Sequence, residues 1–176
     1  LLGGLHGALL MARGRAEGIR YMPLTPEGAA RSYWAALLCL PCFLLLQPGL
    51  PLTPRALTAE LTGFVVGWAG YGLAALPLVL AASRAPLWPR LLAAWNWVNL
   101  LQYVVLGLVT LLVPAGLPDW LGQGLILAGV GYAMWLQWFA ARLALQIDGV
   151  RALGFVLLDL MLSYFISGVV VALSRG

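Results

Sequence analysis

Residues 61–83 read LTGFVVGWAGYGLAALPLVLAAS, a run without a single charge held between Glu60 and Arg84. In helical form, at 1.5 Å per residue, such a run spans a hydrocarbon core about 30 Å thick. Working outward, charges and Pro/Gly clusters cut the chain into further apolar pieces of similar length at 32–50, 91–113, 120–141 and 152–174. The third piece, 91–113, is ended by Pro-Ala-Gly-Leu-Pro, and the last is interrupted by one charge, Asp159. The predicted fold class is all-α: a polytopic membrane helical bundle of about five transmembrane helices. Residues 1–30 form a cytoplasmic or interfacial N-terminal segment and 31–176 the bundle.

Composition points the same way. The chain has 176 residues, 62% of them hydrophobic and 9% charged, with a mean hydropathy of +0.94. A soluble domain averages about 45–50% apolar and about 25% charged residues. Ten basic and six acidic side chains cannot clothe a soluble fold of this size, which excludes a soluble enzyme. All the basic residues are arginines, and they stand singly or in pairs between apolar runs. That placement marks topology and not a nucleic-acid surface, so no nucleic-acid partner is predicted. With the N-terminus inside, Arg13, Arg15, Arg20, Arg31, Arg84, Arg90, Arg142 and Arg151 are cytoplasmic, and only Arg55 and Arg175 lie outside. The expectation is N-in, C-out. The stretch 1–12 is too short to span and precedes its arginines, the reverse of a secretory signal. It reads as an interfacial helix on the cytoplasmic face, its glycines weakening the helix, or as the remnant of a larger N-terminal element.

Helix punctuation fits these spans. Thr25-Pro26-Glu27 and Thr53-Pro54 place a hydroxyl cap before a proline at the first helical position, and Asp119 and Asp148 stand where N-caps of the last two spans belong. Pro41 and Pro77 predict kinks that free the carbonyls of Leu37 and Leu73. Trp34, Trp88 and Trp120 fall near span ends, where amphipathic rings favour the headgroup region.

Asp159 is the informative residue. A carboxylate near mid-helix costs on the order of 2.5–3.5 kcal/mol on insertion scales, so it must face protein or water. Ser163 and Ser167 follow at four-residue steps and make a polar stripe with it. In the third span Asn96, Asn99 and Tyr103 share a broad face and enter from the same side as Asp159. The expectation is a polar cluster joining these two spans, serving either as a proton or ion site or as a hydrogen-bonded lock between helices. Gly63/Gly67, Gly124/Ala128 and Gly129/Ala133 are small-xxx-small pairs that let helices approach closely.

No catalytic constellation is legible. Cys39-Leu40-Pro41-Cys42 has the spacing of a redox dithiol and resembles the motif of quinone-coupled disulfide oxidoreductases. Those enzymes relay electrons through a second cysteine pair, and this chain has two cysteines in all. The pair therefore reads as small apolar core residues. His6 is the one histidine, so a bis-histidine haem within the chain is excluded, two apolar-run thiols and one distant histidine are a poor zinc set, and no metal is predicted.

The segments ARGRAEG (12–18) and TPEGAARSYWAALLCLP (25–41) resemble the opening of small uncharacterised bacterial membrane proteins, which enter their first span through an Arg-Ser-aromatic turn. Five spans, N-in and C-out, is also similar to the layout of the Yip family. The resemblance implies a multi-pass protein of a bacterial inner (cytoplasmic) membrane and carries no catalytic residues. The leading functional expectation is a non-enzymatic accessory, assembly or structural subunit packed against a larger membrane protein complex, respiratory or photosynthetic. Its partners are the lipid bilayer and another membrane protein. No cofactor of its own is predicted, although the many aromatics suit a lipid, quinone or pigment at a complex's edge. The alternative is a small transporter or channel using Asp159, and a remote one is a quinone-linked thiol oxidoreductase.

Overall fold

The computed structural model describes residues 1–46, 53–112 and 118–175. Its α-helices are α1 (Leu2–Ala12), α2 (Pro26–Ser32), α3 (Trp34–Leu45), α4 (Pro54–Ala81), α5 (Trp88–Leu112), α6 (Asp119–Leu145) and α7 (Gly149–Arg175), with 3₁₀ turns at Ala16–Tyr21 and Ala85–Leu87. Five stretches are long and apolar enough to cross a membrane: Pro26–Leu45, Pro54–Ala81, Ala85–Leu111, Asp119–Leu145 and Gly149–Ser174. The chain is thus an all-α, multi-pass helical bundle. The expected span ends at 47–50 and 113, Leu52, and the proline-flanked turn at 114–117 lie outside the described residues.

Helix α5 is the axis. Every residue from 91 to 98 is buried, and the helix packs against α1, α2, α3 and α6. Its sequence explains the position. Asn96, Asn99, Gln102 and two tryptophans cannot be presented to lipid cheaply, so the polar helix goes inside. Antiparallel α6 is fixed to it by Arg90 Nε donating to the Ala144 carbonyl (2.9 Å) and Gln102 Nε2 donating to the Ala133 carbonyl (2.7 Å). Arg84 Nη2 also donates to the Gln146 carbonyl just past α6 (3.3 Å), so two cations meet the negative end of that helix.

Helices α4 and α7 make a second antiparallel pair. Gly63, Gly67 and Gly70 face Val170, Ile166 and Leu162 in turn, and a Cβ on Gly63 would sit 2.5 Å from Val170 Cγ2. Arg55 Nε donates to the Leu173 carbonyl (2.8 Å), closing this pair at its far end. Gly129 packs on Leu106 and so serves the α5–α6 seam. Gly124 has nothing within 4 Å of where a Cβ would stand, and it is exposed together with Ala128. That small-residue pair packs against no part of the described chain.

The caps divide. Gly28 N donates to Thr25 Oγ1 (3.2 Å), Ala56 N to Thr53 Oγ1 (3.2 Å) and Arg151 N to Asp148 Oδ1 (2.9 Å). Asp119 is not a cap. Pro118 occupies that position and the aspartate falls inside the first turn of α6. The backbone N–H of Arg151 holds the Asp148 carboxyl below its ordinary range. A folded-state value below the unfolded one means that the cap's contribution is complete above the ordinary carboxylate range and is lost as pH falls through the lowered value. Asp148→Asn is therefore expected to flatten the acid limb of a thermal-stability profile, and an unchanged limb would contradict this cap.

The first span starts earlier than 32 and breaks once. Ser32 Oγ donates back to the Ala29 carbonyl (2.6 Å) while accepting from Asn96 Nδ2 (2.6 Å). Tyr33 N then bonds Ala30 O (3.2 Å), one residue tighter than an α-helix. Pro41 and Pro77 lie inside helices that continue past them.

The N-terminal segment does not stand apart from the bundle at residue 30. Gly4 lies against the Trp97 indole, and Gly7 and Gly18 meet backbone to backbone, a Cβ on Gly7 falling 2.6 Å from the Gly18 carbonyl oxygen. Ala8 and Met11 are fully buried in the same core as Trp97 and Leu136, and Tyr132 Oη donates to the Ala12 carbonyl (2.6 Å). The glycines that weaken α1 as an isolated helix are what let it dock. Gly18→Val is expected to push α1 off, at a cost of about 1–3 kcal/mol. Trypsin cleavage at Arg13 and Arg15 should then speed about tenfold, since cleavage follows the open population; an unchanged rate would contradict this docking.

Candidate functional site

A cavity of about 290 Å³ lies between α4, α5 and α7, with Phe43 of α3 on its wall. Each helix contributes one stripe. From α4 come Glu60, Phe64 and Trp68 at four-residue steps; from α5 come Trp95, Asn99 and Tyr103, again at four-residue steps; and α7 supplies Asp159, Ser163 and Ser167. Asp159 lies ten residues from Gly149, about 15 Å into the helix, and the two serines follow at about 6 Å intervals. Glu60 lies six residues from Pro54, about 9 Å in from the opposite end. The cavity therefore runs from a carboxylate at mid-helix depth toward the end of the bundle that carries Arg55.

The sequence-derived cluster is divided by this geometry. Asp159, Ser163, Asn99 and Tyr103 share the cavity wall. Asn96 does not join them: it is fully buried on the far side, donating to Ser32 Oγ at 2.6 Å. The reason is position on the helix: Asn96 stands about 100° round from Trp95 at the same level. Although it shares the direction of Tyr103 within about 20°, it lies seven residues, about 10 Å, nearer the start of α5, where it meets Ser32 of α2. Asn99 Nδ2 itself donates back to the Trp95 carbonyl (3.0 Å), leaving its Oδ1 oxygen without a partner committed in that bond.

Behind Asp159 the structure places residues that the sequence reading missed. Its carboxylate lies beside the side chains of Gln137 and Trp95. Gln137 Nε2, Trp95 Nε1 and Tyr71 Oη are buried without a hydrogen-bond partner among the described residues, and Tyr71 adjoins Gln137. Gln137 on α6 and Trp95 on α5 are each 6% exposed, and Tyr71 on α4 is 0% exposed. An amide and an indole from two helices thus border one carboxyl group. The sequence offers a partial signal for Gln137, one of two amides, with Gln123, in an otherwise apolar span.

Aromatic rings form the wall opposite α7. Tyr71 stacks on Trp95 (4.2 Å, 7°), Trp95 meets Trp68 edge-on (5.1 Å, 67°), and Trp68 leads on to Phe64 (5.9 Å). Phe43 closes on Phe64 at 4.7 Å and on Tyr103 at 6.3 Å. Among the described residues Asp159 makes no ion pair with an arginine; Arg15–Glu17 (3.6 Å) and Arg151–Asp148 (3.3 Å) are exposed ion pairs elsewhere.

The other candidates fall elsewhere. Cys39 and Cys42 are free thiols, Cys39 fully buried. His6 packs edge-on to Tyr21 at 4.9 Å. Among the described residues no group of three or more His, Cys, Asp and Glu side chains is placed to hold a metal ion. Trp34 and Trp120 are exposed near helix ends, while Trp88 donates its Nε1 to the Gly72 carbonyl (3.1 Å). No family model, no curated protein and no solved structure matches the chain.

Proposed function

We propose that the protein is a small integral membrane transporter or channel that handles a cation, and that its site is the cavity ending on Asp159. One observation carries this reading: Asp159, Ser163, Asn99 and Tyr103 lie on the wall of a single cavity, with a second carboxylate, Glu60, nearer the Arg55 end. A purely structural lock would fill the space beside its acid, because an unfilled gap forfeits packing. The membrane is a bacterial cytoplasmic membrane, with the arginine-rich end of the bundle inside, in keeping with the bias of the arginines toward that end. The cavity then faces outward. In proteoliposomes Asp159→Asn is expected to abolish cation flux while leaving a monodisperse, helical protein. Flux at the wild-type rate in that variant would overturn the reading.

A second reading, the accessory subunit, has its own observation. Gly124 and Ala128 are uncovered on α6, beside exposed Leu125, Ile126 and Leu127. Under it the chain comigrates with a larger membrane complex on native gels, and Gly124→Leu releases it. A lone species in mild detergent counts against this reading.

A further inference from the structure

We infer that the cavity takes a compact organic monocation, a quaternary or tertiary ammonium, in preference to a bare inorganic ion. This deepens the cation-handling reading and rests on it.

Charge comes first. Asp159 is an acidic side chain on the wall of an open cavity at mid-helix depth, with the polar side chains of Gln137 and Trp95 beside it. No arginine among the described residues pairs with it. A charge at this depth needs a counter-charge, and the cavity is the side from which one can come.

The wall decides what kind of cation. A hard inorganic ion surrenders its hydration shell only to a cage of oxygens, six to eight of them for calcium. Here the oxygen-bearing side chains of Asp159, Asn99 and Ser163 share the wall with the rings of Phe43, Phe64, Trp68 and Tyr103, which offer an inorganic ion no ligand. Aromatic rings attract weakly hydrated organic cations through their quadrupoles, and tryptophan does so best. The volume agrees. About 290 Å³ is the space of roughly ten water molecules and lies at the small end of ligand sites. It is too large for one dehydrated metal ion and suits a small ammonium carrying a ring or short alkyl arms.

The test uses the whole protein in lipid nanodiscs, with phenyltrimethylammonium as probe, its neutral isostere tert-butylbenzene, and sodium at matched ionic strength. Binding is followed by calorimetry and by the intrinsic fluorescence of Trp68 and Trp95. Saturable binding of phenyltrimethylammonium, about tenfold or more tighter than that of the neutral isostere, is expected. Asp159→Asn should weaken it about tenfold, and Trp68→Leu about threefold or more. Equal binding of the charged and neutral probes by the wild-type protein overturns the proposal, and this comparison holds even where a variant fails to fold. Flux measured in vesicles of the same protein separates the two readings. Asp159-dependent sodium or proton flux with no phenyltrimethylammonium binding overturns the organic-cation assignment and leaves the broader reading standing. Charge-selective binding with no Asp159-dependent flux supports the ligand assignment and overturns transport.

Discussion

Gly63→Leu is expected to destabilise the protein by about 1–3 kcal/mol, the usual cost of overpacking a tight contact, or more. The first added carbon would stand 2.5 Å from Val170 Cγ2 and 3.3 Å from Ile166 Cγ2. Val170 is 6% exposed, and its branched Cβ leaves one strongly preferred rotamer in a helix, so it cannot swing aside. The whole of α7 must move instead, which widens the cavity between α4, α5 and α7. Val170→Ala in the same chain should restore part of the loss, because it deletes the methyl that clashes. Gly124→Leu is the contrast. Nothing lies within 4 Å of its Cβ position, so a stability change within about 0.5 kcal/mol is expected in the isolated protein. Unfolding midpoints in a denaturing-detergent titration compare the three variants. Equal losses at positions 63 and 124 would contradict the α4–α7 seam.

Gln137→Leu has the second large effect. It removes a buried amide that borders the Asp159 carboxyl and should cost about 1–3 kcal/mol, the penalty of leaving a buried polar group among apolar neighbours. The double variant Asp159→Leu/Gln137→Leu should recover much of that stability, since exchanging both partners for apolar groups of similar bulk is close to neutral. Cation handling is expected to be lost in the double variant. Stability and function then part company, which a mere lock between helices would not permit. A double variant whose loss equals the sum of the single losses would show the two side chains to be uncoupled.

The five long helices were legible because a bilayer imposes one length and one composition on each, and 61–83 alone satisfies both. Thr25, Thr53 and Asp148 were legible as caps because each has a free side chain directly before its helix. Asp119 was misplaced by one position because Pro118, with its extended backbone, takes the cap. What was not legible is tertiary. Gly4, Gly7 and Gly18 look like helix breakers until Trp97 and the turn at Ala16–Tyr21 are seen to need their bare backbone. The two small-residue pairs at 63/67 and 124/128 are alike in sequence and opposite in structure. Asp159 stood out because a charge inside a span has few explanations. Its polar neighbours did not, because tryptophan reads as apolar bulk and two glutamines fourteen residues apart in an apolar span, Gln123 and Gln137, do not reveal which of them faces it. Asn96 and Asn99 were grouped by a three-residue step, whereas the cavity stripe follows the four-residue step through Trp95, Asn99 and Tyr103.

The most direct measurement of the central claim is the accessibility of position 163 from the outer solution. In a Cys39→Ser/Cys42→Ser background, Ser163→Cys lines the cavity one turn from Asp159, and Tyr164→Cys stands beside it on the surface, 85% exposed. A membrane-impermeant, positively charged thiol reagent added to intact vesicles is expected to label position 163 quickly and position 164 slowly, because the cavity admits water and a cation while the outer face of α7 meets lipid. Equal, slow labelling at both positions would contradict a cation-accessible cavity ending on Asp159.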